Sequence, residues 1–459
     1  MTREDIVQTA SRMETIPNLL ALLNRIKKDE YGDRAYPFTS GQLIFFCNPN
    51  RTENSYTSFS IPKKSGGVRT ISAPIRMLKS FQVCVNRLLQ AFYEAPACVT
   101  GFIPGKSVTD NAARHIGMRY VFNTDLEDFF PSIPQARVWG ALKTRPFSFP
   151  ERIASAIAGL CCMKVQGEDG PRYILPQGAP SSPILTNIVC HNLDWKLSGL
   201  ARRFQLTYSR YADDITFSSP HYVYGADGAF MTEFRRIVAE QNFRINEKKT
   251  RLQRQGERQE VTGLVVSDRV NVTREYVRDL DNLLYIWEKY GHNAAFAKFI
   301  TRYSPKRDQW NKAPEMSEVI LGRLNYLKMV KGKDSPVWNR LQQRFNRIVA
   351  RKETCGGTEI EYLHAYPIAE FEKVMDTTVW IYRRAEHQIR CVFTLGEQPQ
   401  YVVLSRYARS RVKSILEKGG AEDLERFKKR FYIGYCHQKG APERSFFWMV
   451  FRRPPTAGH

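Results

Sequence analysis

Residues 204–220, "FQLTYSRYADDITFSSP", set Asp213 and Asp214 between a tyrosine-alanine step and a β-branched, aromatic run. The pattern reads as strand, tight turn and strand, and it sets Asp213 and Asp214 side by side at the turn. Adjacent carboxylates repel. At about 4 Å and an effective dielectric near 20 the repulsion is on the order of 4 kcal/mol. A solvated turn relieves most of it, because Asp is a common turn residue. A bound divalent cation also relieves it, and makes the pair useful. A third acid tips the choice. "YVFNTDLEDFF", residues 120–130, starts as a buried strand and ends in carboxylates and aromatics, so Asp125 stands at a strand end. Two strands that each deliver acids at one end can be neighbours in one sheet. Two Mg²⁺ ions between Asp125 and Asp213 would neutralise the cluster, one activating a 3′-hydroxyl and the other holding a leaving pyrophosphate. Mg²⁺ suits so sparse a set, because it completes its shell with phosphate oxygens and water.

The charge balance points the same way. Lys and Arg number 69 against 46 Asp and Glu, a net charge of +23. That excess calls for a polyanionic partner. The basic residues are spread along the chain among aromatics, not gathered beside an amphipathic segment, which favours nucleic acid over a membrane surface. No apolar run approaches the ~20 residues of a membrane span. The opening "MTREDIVQTASRMETIPNLL" lacks the layout of a signal peptide. Nine cysteines, an odd number without a CxxC pair, suit free thiols in a reducing cytoplasm. Cys391 with His387, and Cys436 with His437, fit no usual zinc spacing and read as packed side chains.

At 459 residues the chain is long enough for several structural units. Residues 1–45 read as helical, with Ile16, Leu19, Leu20, Leu22, Leu23 and Ile26 on one face. Residues 56–75 read as a β-hairpin around "KKSGG", and 76–94 and 107–117 as helices. "YILPQGAPSSP", residues 173–183, reads as a strand entering a Pro/Gly turn. One long helix is expected from Ser182 to Arg203, capped by Ser181 or Ser182 with Pro183 in its first turn. A helix over 228–242 and a hairpin at "VTGLVV" follow, then basic helices over 275–350 carrying Tyr276, Tyr285, Trp287, Tyr290, Tyr303, Trp310, Tyr326 and Trp338. Aromatics among cations can stack on bases while the cations follow phosphates, although more of these rings are expected in the core than in contact. "RKETCGGT", residues 351–358, reads as a linker, and 359–459 as a small separate α+β domain.

These motifs together resemble a reverse transcriptase, and specifically the bacterial retron enzymes. Asp125 precedes Phe129 and Phe130 as the family's first aspartate precedes two aromatics. Tyr211-Ala212-Asp213-Asp214 is its YxDD box, Pro176-Gln177-Gly178 with Ser182-Pro183 its PQG…SP element, and Asn246–Thr250, "NEKKT", has the character of its next motif. "NAARH", Asn111 to His115, and "VTG", Val261 to Gly263, match retron patterns, and "GRLNYLKMVKG", 322–332, resembles the retron thumb. The resemblance covers roughly residues 10–350.

It implies an α+β right-hand polymerase with fingers and palm over 1–275, a thumb over 276–350, and the added domain beyond. It implies Asp125 and Asp213 as main metal ligands with Asp214 in support, two Mg²⁺ ions, and dNTP substrates. Arg69 and one of Lys63 and Lys64 would touch the triphosphate; which lysine is left open. Phe130 would be a steric gate against a ribose hydroxyl. Gln177 and Gly178 would lie beside the incoming base pair, and Lys249 near the pyrophosphate. Asn111 and His115 are four apart on one helix face and either contact RNA or brace the fold. Val261, Thr262, Gly263, Lys328 and Lys331 are further RNA-binding candidates. The implied activity is copying part of a structured non-coding RNA into DNA, primed from a guanosine 2′-hydroxyl, in an antiphage system with an effector protein. Homo-oligomerisation is left open. Another bacterial defence or group II intron-like reverse transcriptase, or a catalytically idle RNA-binding scaffold, are the alternatives.

Overall fold

Strand Thr207–Tyr211 pairs antiparallel with Asp214–Ser219, and only Ala212 and Asp213 join them. The computed structural model describes residues 1–33, 35–51, 53–62, 67–167, 170–303, 314–350, 360–385, 388–395, 398–438 and 447–452. Ala212 has a φ of 58°. Two-residue hairpin loops need such a positive φ, because only then does the turn match the strands' twist. For alanine the conformation costs roughly 1–2 kcal/mol, so surrounding contacts must hold it there.

The hairpin is half of a four-stranded antiparallel sheet, in the order Thr207–Tyr211, Asp214–Ser219, Tyr120–Asp125, Arg251–Arg254. One face is apolar. Phe122, Tyr208 and Phe217 meet Phe230 and Phe234 from the helix Ala229–Glu240, with Phe217 5.1 Å from Phe230 and 5.0 Å from Tyr208. All five are buried. Burying each such ring is worth roughly 1.5–3 kcal/mol. The opposite face is polar, and Thr216 donates to Asn123 across the strands at 2.9 Å. Asp125 and Asp214 share that face, because they are direct register partners.

His115 closes the polar face from above. Its two ring nitrogens meet the Ser218 and Ser209 hydroxyls, each at 2.7 Å, and it is fully buried. Burial pushes its pKa from 6.5 down to about 3, with the Arg114 charge adding to the effect. The neutral ring is therefore built into the fold, whereas the unfolded chain takes up a proton below pH 6.5. Its contribution to stability is complete above pH 6.5 and falls as pH drops toward 3. Between pH 7.5 and 5.0 the wild type should lose about 2 kcal/mol that a His115→Gln variant does not. Urea unfolding of both proteins at the two pH values measures the difference, and parallel pH profiles would refute it.

Three helices open the chain, Arg3–Ala10, Ile16–Tyr31 and Ser40–Phe46. Each starts at a threonine (Thr2, Thr15 and Thr39) in a reciprocal capping box. Leu19, Leu22, Leu23 and Ile26 are buried as the periodicity requires, against the helix Arg76–Phe92. Strands Tyr56–Pro62 and Val68–Pro74 form the expected hairpin. Lys63 and Lys64 lie outside the described residues.

Two helical expectations need correction. The span from Ser182 to Arg203 is two helices, Ser182–Val189 and His191–Arg203, broken at Cys190, whose ψ is 0°. The apolar spacing continues across the break, so periodicity does not reveal it. Ser181 stands at the N-cap, though its side chain makes no capping bond, and Ser182 donates to the Pro176 carbonyl at 2.6 Å. The helix expected over 107–117 is only Val108–Ala113, after which the chain turns to bury His115.

The structure divides into two compact units, Met1–Tyr276 with Met329–Gly332, and Val277–Lys328 with the residues from Lys333 on. The helix Arg274–Tyr303 breaks at Gly291, with φ 83° and ψ 175°. Helices Met316–Lys331 and Pro336–Ala350 follow. Trp287 is buried, whereas Tyr285 and Tyr290 are exposed on either side of Lys289. Tyr303 carries no described side-chain placement, and Trp310 and the 351–358 segment lie outside the described residues.

Beyond them stands a six-stranded sheet in the order Ile360–Pro367, Tyr432–Gln438, Phe447–Phe451, Gln398–Leu404, Gln388–Leu395, Trp380–Ala385. Helices Ile368–Val374, Arg406–Lys418 and Ala421–Arg430 bury Phe371, Val412 and Phe427 against Ile381, Phe393, Val402 and Val450. Cys391 is a packed thiol of that core. No helix among the described residues is long and apolar enough to cross a membrane.

Candidate active site

The sheet register brings the three acids together. Asp125 faces Asp214 directly across the strand pair, and the Leu126 amide donates to the Asp213 carbonyl at 3.1 Å. Like charges placed directly opposite destabilise a sheet, and the titration shifts register that cost. Burial raises the Asp213 carboxyl, Asp125 adds to the rise, and Lys249 and Arg69 pull against it. Asp214 is pushed up to about 7 by the crowding of the cleft, then by Asp213 and Asp125. Its own surface remains exposed, so the protein surrounds this carboxylate without covering it.

Asp125 is 4% exposed, and its two oxygens differ. Oδ2 accepts from Lys249 Nζ at 2.5 Å, while the buried Oδ1 has no hydrogen-bond partner. Lys249 reaches it because the "NEKKT" loop is tied to the strand end: the Asn246 amide donates to the Asp125 carbonyl at 2.9 Å, and the Thr124 and Thr250 hydroxyls meet at 2.7 Å. Donating that bond raises the Lys249 pKa, and the acid cluster adds to the rise.

A divalent cation fits this arrangement. The donors are hard carboxylate oxygens, one of them buried and unpartnered. The three acids form no closed cage, for among the described residues no three His, Cys, Asp or Glu side chains are grouped to hold an ion by themselves. An ion there would draw further ligands from water or phosphate, as Mg²⁺ commonly does.

Arg69, exposed on the Val68–Pro74 strand, acts electrostatically on Asp213. The Gln177 carbonyl accepts from the Ser72 amide of that strand at 2.8 Å. Gly178 has φ 125°, and a Cβ there would stand 2.8 Å from Ile71 Cγ2, so only glycine fits the joint. Phe129 is core, whereas Phe130 is half-buried, its ring 6.1 Å from that of Phe102.

Several RNA-binding candidates prove to be structural. Asn111 is fully buried and accepts from Thr100 at 2.8 Å; His115 braces two strands of the sheet; Val261 is fully buried. As placed, none of the three can touch RNA. Thr262 and Gly263, with φ 48° and 79°, form the two-residue loop between Val261 and Leu264, so the "VTG" pattern is that of a primed hairpin turn. Lys328 is exposed, with its ammonium 5.1 Å from the Trp338 ring. Lys331 is half-buried, and burial and Arg269 lower its pKa.

Sequence reasoning missed a buried network behind the acid turn. Arg210, fully buried, grips both oxygens of the fully buried Asp194 at 2.7 Å, reaches Asn187 at 3.1 Å, and donates to the Ala212 carbonyl at 2.9 Å. Tyr208 also donates to Asp194, at 2.8 Å, and Asn187 donates to the Gly101 carbonyl at 2.9 Å. The available signal was an arginine in an otherwise uncharged strand. Gly101 packs against the turn itself, and a Cβ there would stand 2.3 Å from the Ala212 nitrogen. Gly101→Ala should therefore displace the turn. Primer extension is expected to fall on the order of 100-fold, the scale of a 1 Å misplacement, while circular dichroism stays that of the wild type. Unchanged extension would show that the turn tolerates the shift.

The family described as "Reverse transcriptase (RNA-dependent DNA polymerase)" matches residues 61–268, which hold all three acids. The retron Mx65 reverse transcriptase of Myxococcus xanthus is 40% identical over 242 residues, 50% of this chain and 55% of the relative. The retron Mx162 reverse transcriptase of the same organism is 37% identical over 252 residues, 50% of this chain and 52% of the relative. The retron Ec86 reverse transcriptase of Escherichia coli is 35% identical over 232 residues, 49% of this chain and 68% of the relative. The chain belongs to the retron reverse transcriptase family. It spans about half the length of the two Myxococcus relatives. The four-stranded sheet lies within the residues that the family matches, in an α+β polymerase fold.

Proposed function

We propose that this chain is an RNA-directed DNA polymerase that copies part of a structured non-coding RNA from dNTPs. The observation that carries the reading is Asp125 opposite Asp214, with Asp213 in the adjoining turn and an unpartnered oxygen on Asp125. Asp125 and Asp213 would hold Mg²⁺, two ions in this reading, with Asp214 in support. Bound there, the metal supplies a lowered pKa for the attacking hydroxyl and charge neutralisation for the leaving pyrophosphate.

The chain's own residues do the rest. Arg69, with Lys63 or Lys64, contributes positive charge where a triphosphate would enter. Lys249 holds a proton at Nζ beside Asp125 and delivers it to the departing phosphate. Phe130 offers a half-buried ring to the sugar edge and favours deoxyribose. Gln177 and Gly178, tied to the fingers strand, form a fixed floor beside the incoming base pair. Residues 276–350 act as thumb, with Lys328, Lys331, Tyr285 and Tyr290 as RNA contacts.

Priming from a guanosine 2′-hydroxyl, a branched RNA-linked DNA product, and an antiphage role with an effector protein complete the proposal. The test is to purify the chain from its native locus and sequence any DNA covalently linked to RNA that comes with it. Branched DNA is expected. Active primer extension without such DNA would favour a differently primed reverse transcriptase. No extension by the wild type, with RNA still bound, would favour a scaffold.

A further inference from the structure

Along strands Trp380–Ala385, Gln388–Leu395 and Gln398–Leu404 the sheet leaves large side chains exposed on the face away from its helices. Its three helices pack against the side carrying Ile381, Cys391, Phe393 and Val402. The alternate positions point the other way, and there the strands present Trp380 and Tyr382, Arg390 and Val392, Tyr401 and Val403. Trp380 is 63% and Tyr401 62% exposed, and Tyr382 is exposed as well. The register sets Trp380, Val392 and Tyr401 in one row across three strands. Two strand spacings, roughly 10 Å, separate the two rings, which leaves room for a separate base on each. The Arg390 guanidinium lies 5.5 Å from the Tyr401 ring. Large rings left in water on a sheet face mark an interaction surface.

Charge selects the partner. The three strands that carry these rings contain no acid, and Arg390 shares their open face beside Tyr401, while the acids of the described domain lie on its helices, their flanks and the strand Ile360–Pro367. A protein partner with an ordinary mixed surface needs no such segregation. Bases stack on aromatic rings whatever their identity, and cations follow the phosphates. We infer that this sheet face is a stacking platform for single-stranded RNA. The choice of RNA over DNA rests on the proposed function: in that reading RNA is present before synthesis starts, whereas DNA arises later and paired.

The test uses the full chain and a photo-crosslinkable oligouridylate. Crosslinks are expected on peptides containing Trp380, Tyr382 or Tyr401. A Trp380→Ala/Tyr401→Ala variant should bind the oligonucleotide roughly 25-fold or more weakly, at fivefold or more per ring. Arg390→Ala should reduce the salt dependence by about one phosphate contact. Primer extension on a short unstructured template should persist in all these variants, so a failure of the polymerase reading would appear separately, in the wild type. Crosslinks confined to other peptides, or unchanged affinity in the double variant, would overturn the inference. So would self-association that the double variant abolishes.

Discussion

Asp213→Asn should reduce primer extension by roughly a thousandfold or more while leaving the metal-free fold at least as stable as the wild type. The two expectations come from the same geometry. Asp213, Asp214 and Asp125 crowd one sheet end, and both Asp213 and Asp214 have pKa values raised by burial and by the charge of neighbouring acids. An amide at position 213 removes one of the repelling charges without changing shape, so nothing in the folded protein is left worse paired. The same change removes ligand charge from the site proposed to hold metal. Metal assistance is worth several kcal/mol of transition-state stabilisation, and about 4 kcal/mol corresponds to a thousandfold.

Thermal unfolding supplies the second readout. With Mg²⁺ at tenfold its Kd, the wild type should gain about 1.4 kcal/mol, and Asp213→Asn much less. An inactive variant that still gains this stabilisation would place the ion elsewhere. A variant that keeps full activity would remove Asp213 from the chemistry.

The acid site was legible because its logic is local. A strand ending in Asp125 and a hairpin turning at Ala212-Asp213 each show in a dozen residues, and a sheet that pairs their strands brings the acids together. The roles of Asn111 and His115 were not legible in that way. Four apart and both polar, they read from sequence as one helix face, which suits RNA contact as well as burial; only the distant hydroxyls of Ser209 and Ser218 decide for His115. The break at Cys190 was hidden for a related reason. Hydrophobic periodicity reports which side of a helix is buried, and both segments bury theirs. What fixes the break is long-range: Asn187 before it and Asp194 after it both reach Arg210. The hairpin at "VTGLVV" is legible, and its turn takes positive φ at Thr262 and Gly263; what its residues hide is that Val261 is fully buried.

That buried network gives the second large effect. Arg210→Met would leave the Asp194 carboxylate in the core with only the Tyr208 hydroxyl, and breaking a buried pair in this way costs about 3–5 kcal/mol. Substituting Asp194→Leu as well removes the stranded charge, and packed apolar replacements of a buried pair are often near neutral. Much of the stability should therefore return in the double variant. Activity should not return with it. The Ala212 carbonyl would still lack the donor that Arg210 provides, and Ala212 holds an unfavourable φ that surrounding contacts must impose. With the turn loosened, Asp213 drifts from its place beside Asp125. A loss in kcat on the order of 100-fold is expected, with KM for dNTP little changed, because the fingers side of the pocket is untouched. Urea unfolding and steady-state primer extension on the single and double variants separate the two roles. Recovery of kcat together with stability would reduce Arg210 to a packing element; stability without kcat identifies it as the residue that positions the catalytic turn.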